Sequence, residues 1–356
     1  MAAPLATAED ALARLDERLR TSPIREGFIA RTHFLDACAS LWLDGELVHI
    51  EDLVLHDAEK DVRSPTHALT RAHAVLRARR RIASAEIGWA LSASGLGGLR
   101  ARAGEGEEAD PAKPLAMNGD AIDADLASDV IEDRYDPLLA EALNAVDAAM
   151  ARADRAVVGV QARPRERDPL AYDPDWDEDA RLQEWRRALG ETRSLPATVA
   201  AAIALEAWSA IEPLQHQPWL GQLLVASLLR QRGKTSHLAC LNVGLRLVPR
   251  ERRRAREATA RLVATLEAIA ALAEAGLKDH DRWLMARSLL ARKLCRRRST
   301  SSLPALVDYV MSRPLVSAGM IAAELGISAR AAQTLVAELG LREATGRGRY
   351  RAWGIL

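Results

Sequence analysis

From Leu195 to Lys293 the chain runs with the 3.6-residue spacing of apolar side chains and almost no strand signal, and this stretch limits the fold more than any other. Pro196 suits a first helical turn, Pro213 and Pro218 interrupt the middle, and Gly233, Gly244 and Gly276 mark ends or close contacts. Ala and Leu dominate it. Across the whole chain aromatic residues make up only 4% against 49% hydrophobic, so a core built from such side chains needs helices that approach one another closely.

A length of 356 residues leaves room for two or three domains. Residues 1–91 read as an N-terminal helical segment, with helices near Ala8–Arg20, Ile29–Leu43 and Pro65–Ile82. Residues 92–130, rich in Gly, Ala, Asp and Glu without period, read as a flexible linker or insert. One helix is expected within 131–158, a Pro- and Arg-rich linker over 159–174, a helical core over 175–298, and a last module over 299–356. Arg296-Arg297-Arg298, followed by Ser299 to Ser302, reads as a basic, flexible hinge into that module.

Asp173 to Asp179 resembles a cation loop at first sight, but lacks the central Gly and distal Glu of an EF-hand. Its carboxylates better suit the N-terminus of the helix holding Leu182 and Trp185. Cys38, Cys240 and Cys295 are odd in number and lack CxxC spacing, so reduced thiols are expected, with no disulfide and no metal. Met1 to Arg20 reads as a charged amphipathic helix rather than a signal peptide, and no apolar run approaches the roughly 18 residues of a membrane span. The expected setting is the cytoplasm.

Net charge is zero, but it is unevenly spread. Arg246 to Arg298 carries +9, residues 299–356 carry +2, and the remainder carries −11, which points to a polyanion-binding C-terminal half. Five of the 49 basic residues are Lys; GC-rich coding and a functional preference for guanidinium explain that equally well. Arg252, Arg253, Arg254 and Arg256 form a basic patch expected to open the next long helix. A solvated or salt-bridged face and a phosphate-contacting face are equal readings of it.

The module carries the sharpest local signals. Leu303–Ser312 reads as a helix, Ser317 caps a second helix over Ala318–Leu325 ended by Gly326, and Ser328 caps a third over Ala329–Leu339 closed by Gly340. Two capped helices joined by a short Gly turn make a helix-turn-helix, with Ala322, Ala323 and Ala332 allowing a close crossing. Residues 341–345 and 349–353 read as the strands of a hairpin turning at 346–348, a wing. Ser328, Arg330, Gln333 and Thr334 are candidate DNA contacts from the third helix, and Arg347, Arg349 and Arg351 from the wing. The competing reading is a winged helix used only for protein contacts.

Two upstream segments resemble the Fic family, whose members transfer AMP from ATP onto protein hydroxyls and often carry a C-terminal winged helix. Ser40 to Gly45 resembles the family's inhibitory pattern, with Asp44 in place of its Glu. Leu195 to Leu224 is similar to the helix, loop and helix that hold the family's catalytic motif. The resemblance implies that the motif is lost. Glu212 stands for the general-base His, Pro213 keeps the local shape, His216 takes the acidic metal-binding position, and Gln222 replaces the last Arg. The whole chain also resembles a bacterial family pairing a domain of unknown function with a helix-turn-helix domain.

The expected fold class is mainly α: a helical Fic-like bundle followed by a small winged helix-turn-helix of three helices plus a β-hairpin. The expected function is a DNA-binding protein, a transcriptional regulator whose catalytically silent body dimerises or senses a partner. Expected partners are double-stranded DNA, a second copy and a further protein, with no membrane and no cofactor. The alternatives are a Fic-type enzyme with altered chemistry, or a toxin–antitoxin or scaffold component.

Overall fold

The computed structural model describes residues 2–60, 64–101, 175–294, 302–345 and 351–355. The expected helix within 131–158, the linker over 159–174 and the hinge Arg296–Ser301 lie outside them. Residues 1–106 and 177–356 form one compact unit; of a second unit, 107–176, only the last two residues are described.

The N-terminal helices are α1 (Ala2–Arg20), α2 (Arg25–Leu43), α3 (Ile50–Asp57), α4 (His67–Ser84) and α5 (Ala93–Ala101). After residue 175 follow α6 (Glu178–Glu191), α7 (Ala197–Ile211), α8 (Leu220–Gln231), α9 (Leu241–Leu247), the single turn α10 (Arg250–Arg253) and the long α11 (Ala258–Leu294). The C-terminal module contains α12 (Leu303–Ser312), β1 (Leu315–Ser317), α13 (Ala318–Leu325), α14 (Ala329–Leu339), β2 (Arg342–Glu343) and β3 (Ala352–Gly354).

Small side chains set the packing. Ala8, Ala11, Leu12, Leu15 and Leu19 make one buried stripe on α1, at the i, i+3, i+4 spacing of a helix face, and it lies along α11. Where α9 meets α11, a Cβ on Gly244 would stand 2.1 Å from the Ala268 carbonyl oxygen, so only Gly permits that approach. In α7 the run Ala200, Ala201, Ala202 and Ala204 is buried. The scarce aromatics anchor the crossings. The Trp185 and Trp208 rings meet edge to face at 5.2 Å, and their indole N–H groups donate to Ala204 O (2.9 Å) and Pro218 O (3.0 Å).

Several sequence boundaries move. The expected break at residue 92 is passed by α5, which buries Leu96 and Leu99, so the ordered core reaches at least Ala101 and only the rest of 92–130 is undescribed. Residues 1–91 and 175–294 are not separate layers: α1 packs on α11 and α2 on α9 within one core. The carboxylate of Asp177 accepts from Ala180 N at 2.9 Å, the capping role expected of that acidic run.

Two charged clusters tie distant helices together. Asp36 of α2 and Arg79 of α4 form a fully buried ion pair. Asp36 also accepts from Asn242 Nδ2 (2.9 Å) and Val243 N (3.1 Å), while Arg79 donates to Leu238 O at 3.2 Å. Asp57 ends α3 and faces Arg80 at 2.6 Å, His73 at 3.4 Å and Arg313 of the module at 3.5 Å.

Burial opposes the charge on Asp57, but hydrogen bonds from His73 and Arg80 outweigh it and hold the carboxyl well below the usual carboxylate range. A depressed native value stabilises the fold above the unfolded carboxyl value of about 4, and that stabilisation fades as pH falls through the native one. Asp57→Asn is therefore expected to be less stable than the parent at pH 7, with the gap closing toward pH 2. Urea unfolding at several pH values measures it; a gap independent of pH would contradict the ionic origin.

Candidate nucleic-acid interface

Local chemistry builds the helix-turn-helix as the sequence suggests. The hydroxyl of Ser317 accepts from Met320 N at 3.2 Å and that of Ser328 from Ala331 N at 3.2 Å, each satisfying an otherwise open amide of a first turn. Gly326 ends α13 with φ +63°, and the next amide, Ile327 N, reaches back to Ala322 O at 3.1 Å. Ala332, Val336 and Leu339 bury one face of α14. Arg330, Gln333, Thr334, Ala337 and Glu338 are exposed on the opposite face, spaced by three and one. The structure thus places Ser328, Arg330, Gln333 and Thr334 together on an open surface. Ala322 is half-buried and Ala332 buried, as a close crossing requires, but Ala323 points outward.

A three-stranded antiparallel sheet in the order β1-β3-β2 backs this pair of helices. Val316 pairs with Trp353 across one side of β3, and Glu343 with Trp353 across the other. Among the described residues the hairpin strands are Arg342–Glu343, within the expected 341–345, and Ala352–Gly354, which runs one residue past the expected 349–353, and β1 has no counterpart in the sequence reading. Arg347 and Arg349 lie outside the described residues. Arg351 is described: it pairs with Glu343 (2.6 Å) and lies 5.6 Å from the Trp353 ring, so the strand pairing already orients it. Arg342, exposed on β2, is a basic residue of this surface that the sequence reading missed; its place after the apolar Leu341 in the segment read as a strand was the available signal.

The upstream basic patch is placed differently from expectation. It does not open the long helix: α10 ends at Arg253 and α11 begins at Ala258. The break is held by Arg261, whose guanidinium donates to the carbonyls of Ala255 and Arg256 (both 2.7 Å) while pairing with Glu206. Arg252 pairs with Glu267 at 2.7 Å, and Arg253 donates to Val248 O at 3.0 Å beside Trp42. Arg254 and Arg256 are exposed. The 37 residues of α11 span about 55 Å, which puts the patch at the far end from the module.

The segments resembling a nucleotide-transfer motif do form helix, loop and helix over α7 and α8. Glu212 is exposed and left-handed at φ +48°, Pro213 is buried, His216 is exposed, and Gln222 sits half-buried in the first turn of α8. Trp219 is buried at the end of the loop, and Pro218 offers no amide donor. Asp44 is bonded to Arg71 of α4 at 2.6 Å, so its carboxylate is engaged away from that loop. A left-handed non-Gly residue costs about 1–2 kcal/mol, part of which Gly returns through its freer unfolded chain. Glu212→Gly is expected to raise stability by about 0.5–1 kcal/mol in chemical denaturation. A loss instead would reveal a structural contact of the Glu212 side chain.

A buried arginine joins module and body. Arg31 of α2 is 4% exposed and donates to Val310 O (3.0 Å), Arg313 O (2.6 Å) and Ile355 O (3.1 Å), with Pro314 O at 3.5 Å. Its guanidinium lies over Trp283 of α11 at 4.7 Å. Burial, with Arg282 nearby, pushes it down to about 10, so it remains charged at neutral pH. The sequence signal was a cation inside α2, a helix buried on nearly every side.

No helix among the described residues is long and apolar enough to cross a membrane. Residues 170–295 match a family described as a protein of unknown function (DUF1612), and residues 303–356 match a helix-turn-helix DNA-binding domain. The chain is 49% identical to the uncharacterized protein y4cF of Sinorhizobium fredii (strain NBRC 101917 / NGR234), over 96% of this chain and 93% of that protein.

Proposed function

We propose that this chain, which belongs to the family of that Sinorhizobium protein and carries a DUF1612 domain followed by a helix-turn-helix DNA-binding domain, is a winged-helix transcriptional regulator. The observation that carries the reading is the outward face of α14, where Arg330, Gln333 and Thr334 stand exposed over a buried Ala332, Val336 and Leu339. Arg suits the guanine edge and Gln the adenine edge of a major groove. The exposed Arg342, the Arg351 oriented by Glu343, and Arg347 and Arg349 in the adjoining sequence add cations suited to phosphates. Two copies reading paired half-sites are the arrangement such a module favours.

The helical body is read as Fic-like with its catalytic chemistry lost. Supporting this are Glu212 where a base is needed, the missing amide at Pro218 and the buried Trp219, which together leave no cradle for a triphosphate. Incubation with labelled ATP is expected to leave this chain and lysate proteins unmodified. Incorporation that disappears in Glu212→Ala or His216→Ala would overturn that reading.

Selection from a random duplex library with the full chain, followed by fluorescence anisotropy at several salt concentrations, tests DNA binding. One preferred sequence is expected, with log affinity falling linearly against log salt. No binding to any duplex at low salt would overturn the proposal.

A further inference from the structure

We propose that Arg31 is a positioning residue for DNA recognition, locking the helix-turn-helix onto the helical body so that α14 is presented in one orientation. The inference rests on the DNA-binding reading above. The carbonyls that Arg31 gathers come from the end of α12, the approach to β1 and the residue after β3. One side chain therefore holds both chain ends of the module's sheet. A buried cation is costly to desolvate, and here hydrogen bonds to carbonyls, the face of Trp283 and the charge of Asp279 offset part of that cost, with no direct carboxylate partner among the described residues. An aliphatic side chain could fill the same space without that cost, but could not fix direction.

Three further contacts converge on the same joint from separate helices. One turn before Arg31 on α2, a Cβ on Gly27 would stand 2.8 Å from Met311 O, so the backbone of α12 lies directly against α2. Asp57 of α3 pairs with Arg313 at 3.5 Å. Lys293 near the end of α11 donates to Leu339 O, the last carbonyl turn of α14 itself. A module held from α2, α3 and α11 does not swing relative to the body. In a two-copy complex, the separation of the two reading helices would then be set by the bodies.

The test uses the full-length protein as Arg31→Ala, Arg31→Lys and Gly27→Ala, with helicity by circular dichroism as the check on folding. Gly27→Ala pushes the joint apart without touching a buried charge, so it serves even if Arg31→Ala fails to fold. Affinity is measured for a duplex with one selected half-site, for one with two at the selected spacing, and for one with that spacing shifted by about half a helical turn. The parent is expected to favour the selected spacing about tenfold over the shifted one. Arg31→Ala and Gly27→Ala should bring that ratio to about one while one-half-site affinity changes less than about twofold, and Arg31→Lys should fall between.

Hydrogen exchange without DNA gives the second readout. Amides of α12 and β1 at the joint should exchange faster in the variants, while those within α14 keep their protection. Unchanged spacing preference in both variants would overturn the proposal, as would unchanged exchange at the joint. If the parent binds no duplex, the DNA-binding reading fails instead, and faster exchange in the variants would leave Arg31 a structural tie alone.

Discussion

Arg79→Ala is expected to destabilise the protein by about 3–5 kcal/mol, the cost of leaving a buried carboxylate without its partner. Asp36 and Arg79 are both fully buried, and each holds more than the other. Asp36 accepts from the side-chain amide of Asn242 and the backbone amide of Val243 in the first turn of α9, and Arg79 donates to Leu238 O and Ala239 O from the loop before that helix. Burial raises the Asp36 carboxyl above its ordinary range, and the guanidinium with those donors offsets that only in part. Removing Arg79 therefore strands a carboxylate and two carbonyls at once. The double variant Asp36→Leu/Arg79→Met should lose much less than the single changes combined, because it removes both charges and refills the volume. Guanidinium unfolding followed by circular dichroism reads all of these. A loss below about 1 kcal/mol in Arg79→Ala would show that solvent reaches the site.

That pair also shows where sequence reading stops. The helix-turn-helix was legible almost to the residue, because its bounds rest on local chemistry: hydroxyls of Ser317 and Ser328 capping three residues on, and glycines taking positive φ at 326 and 340. The α1 and α4 helices were legible from apolar periodicity, although α1 begins at Ala2 rather than Ala8 and α4 runs His67–Ser84 rather than Pro65–Ile82. Nothing local pairs Asp36 with Arg79, 43 residues away, or Arg31 with Ile355. The strand β1 was missed because three residues after Pro314 give no alternation, and its partner β3 lies at the other end of the module. The helical break at Arg254 was missed for a related reason. Arginines are good helix formers, and it is Arg261, whose guanidinium is held by Glu206 of α7, that donates to the carbonyls a continuous helix would use. On the candidate interface, the outward face of α14 was legible from spacing, whereas the pairing of Arg252 with Glu267 and of Arg253 with Val248 O was not.

Arg330→Ala and Gln333→Ala are each expected to weaken binding to the selected sequence by about 1–3 kcal/mol and to relax its base preference. Both side chains are exposed on α14, with no buried contact to lose, so folding should be unaffected. Arg347→Ala, Arg349→Ala and Arg342→Ala should instead weaken all sequences alike and each reduce the slope of log affinity against log salt by about one. Arg351→Ala should also release Glu343, a solvent-screened pair whose loss adds little to its binding effect. Arg254 and Arg256, some 50 Å along α11 by about 1.5 Å per residue, should change the slope only if the bound duplex extends roughly 15 base pairs beyond the module. Short duplexes covering one half-site would then show no effect of Arg254→Ala/Arg256→Ala, and long ones would. Anisotropy on selected and scrambled duplexes of both lengths separates these roles. If the folded triple variant Arg330→Ala/Gln333→Ala/Arg347→Ala binds the selected duplex as tightly as the parent, α14 is not the reading helix and the module serves protein contacts.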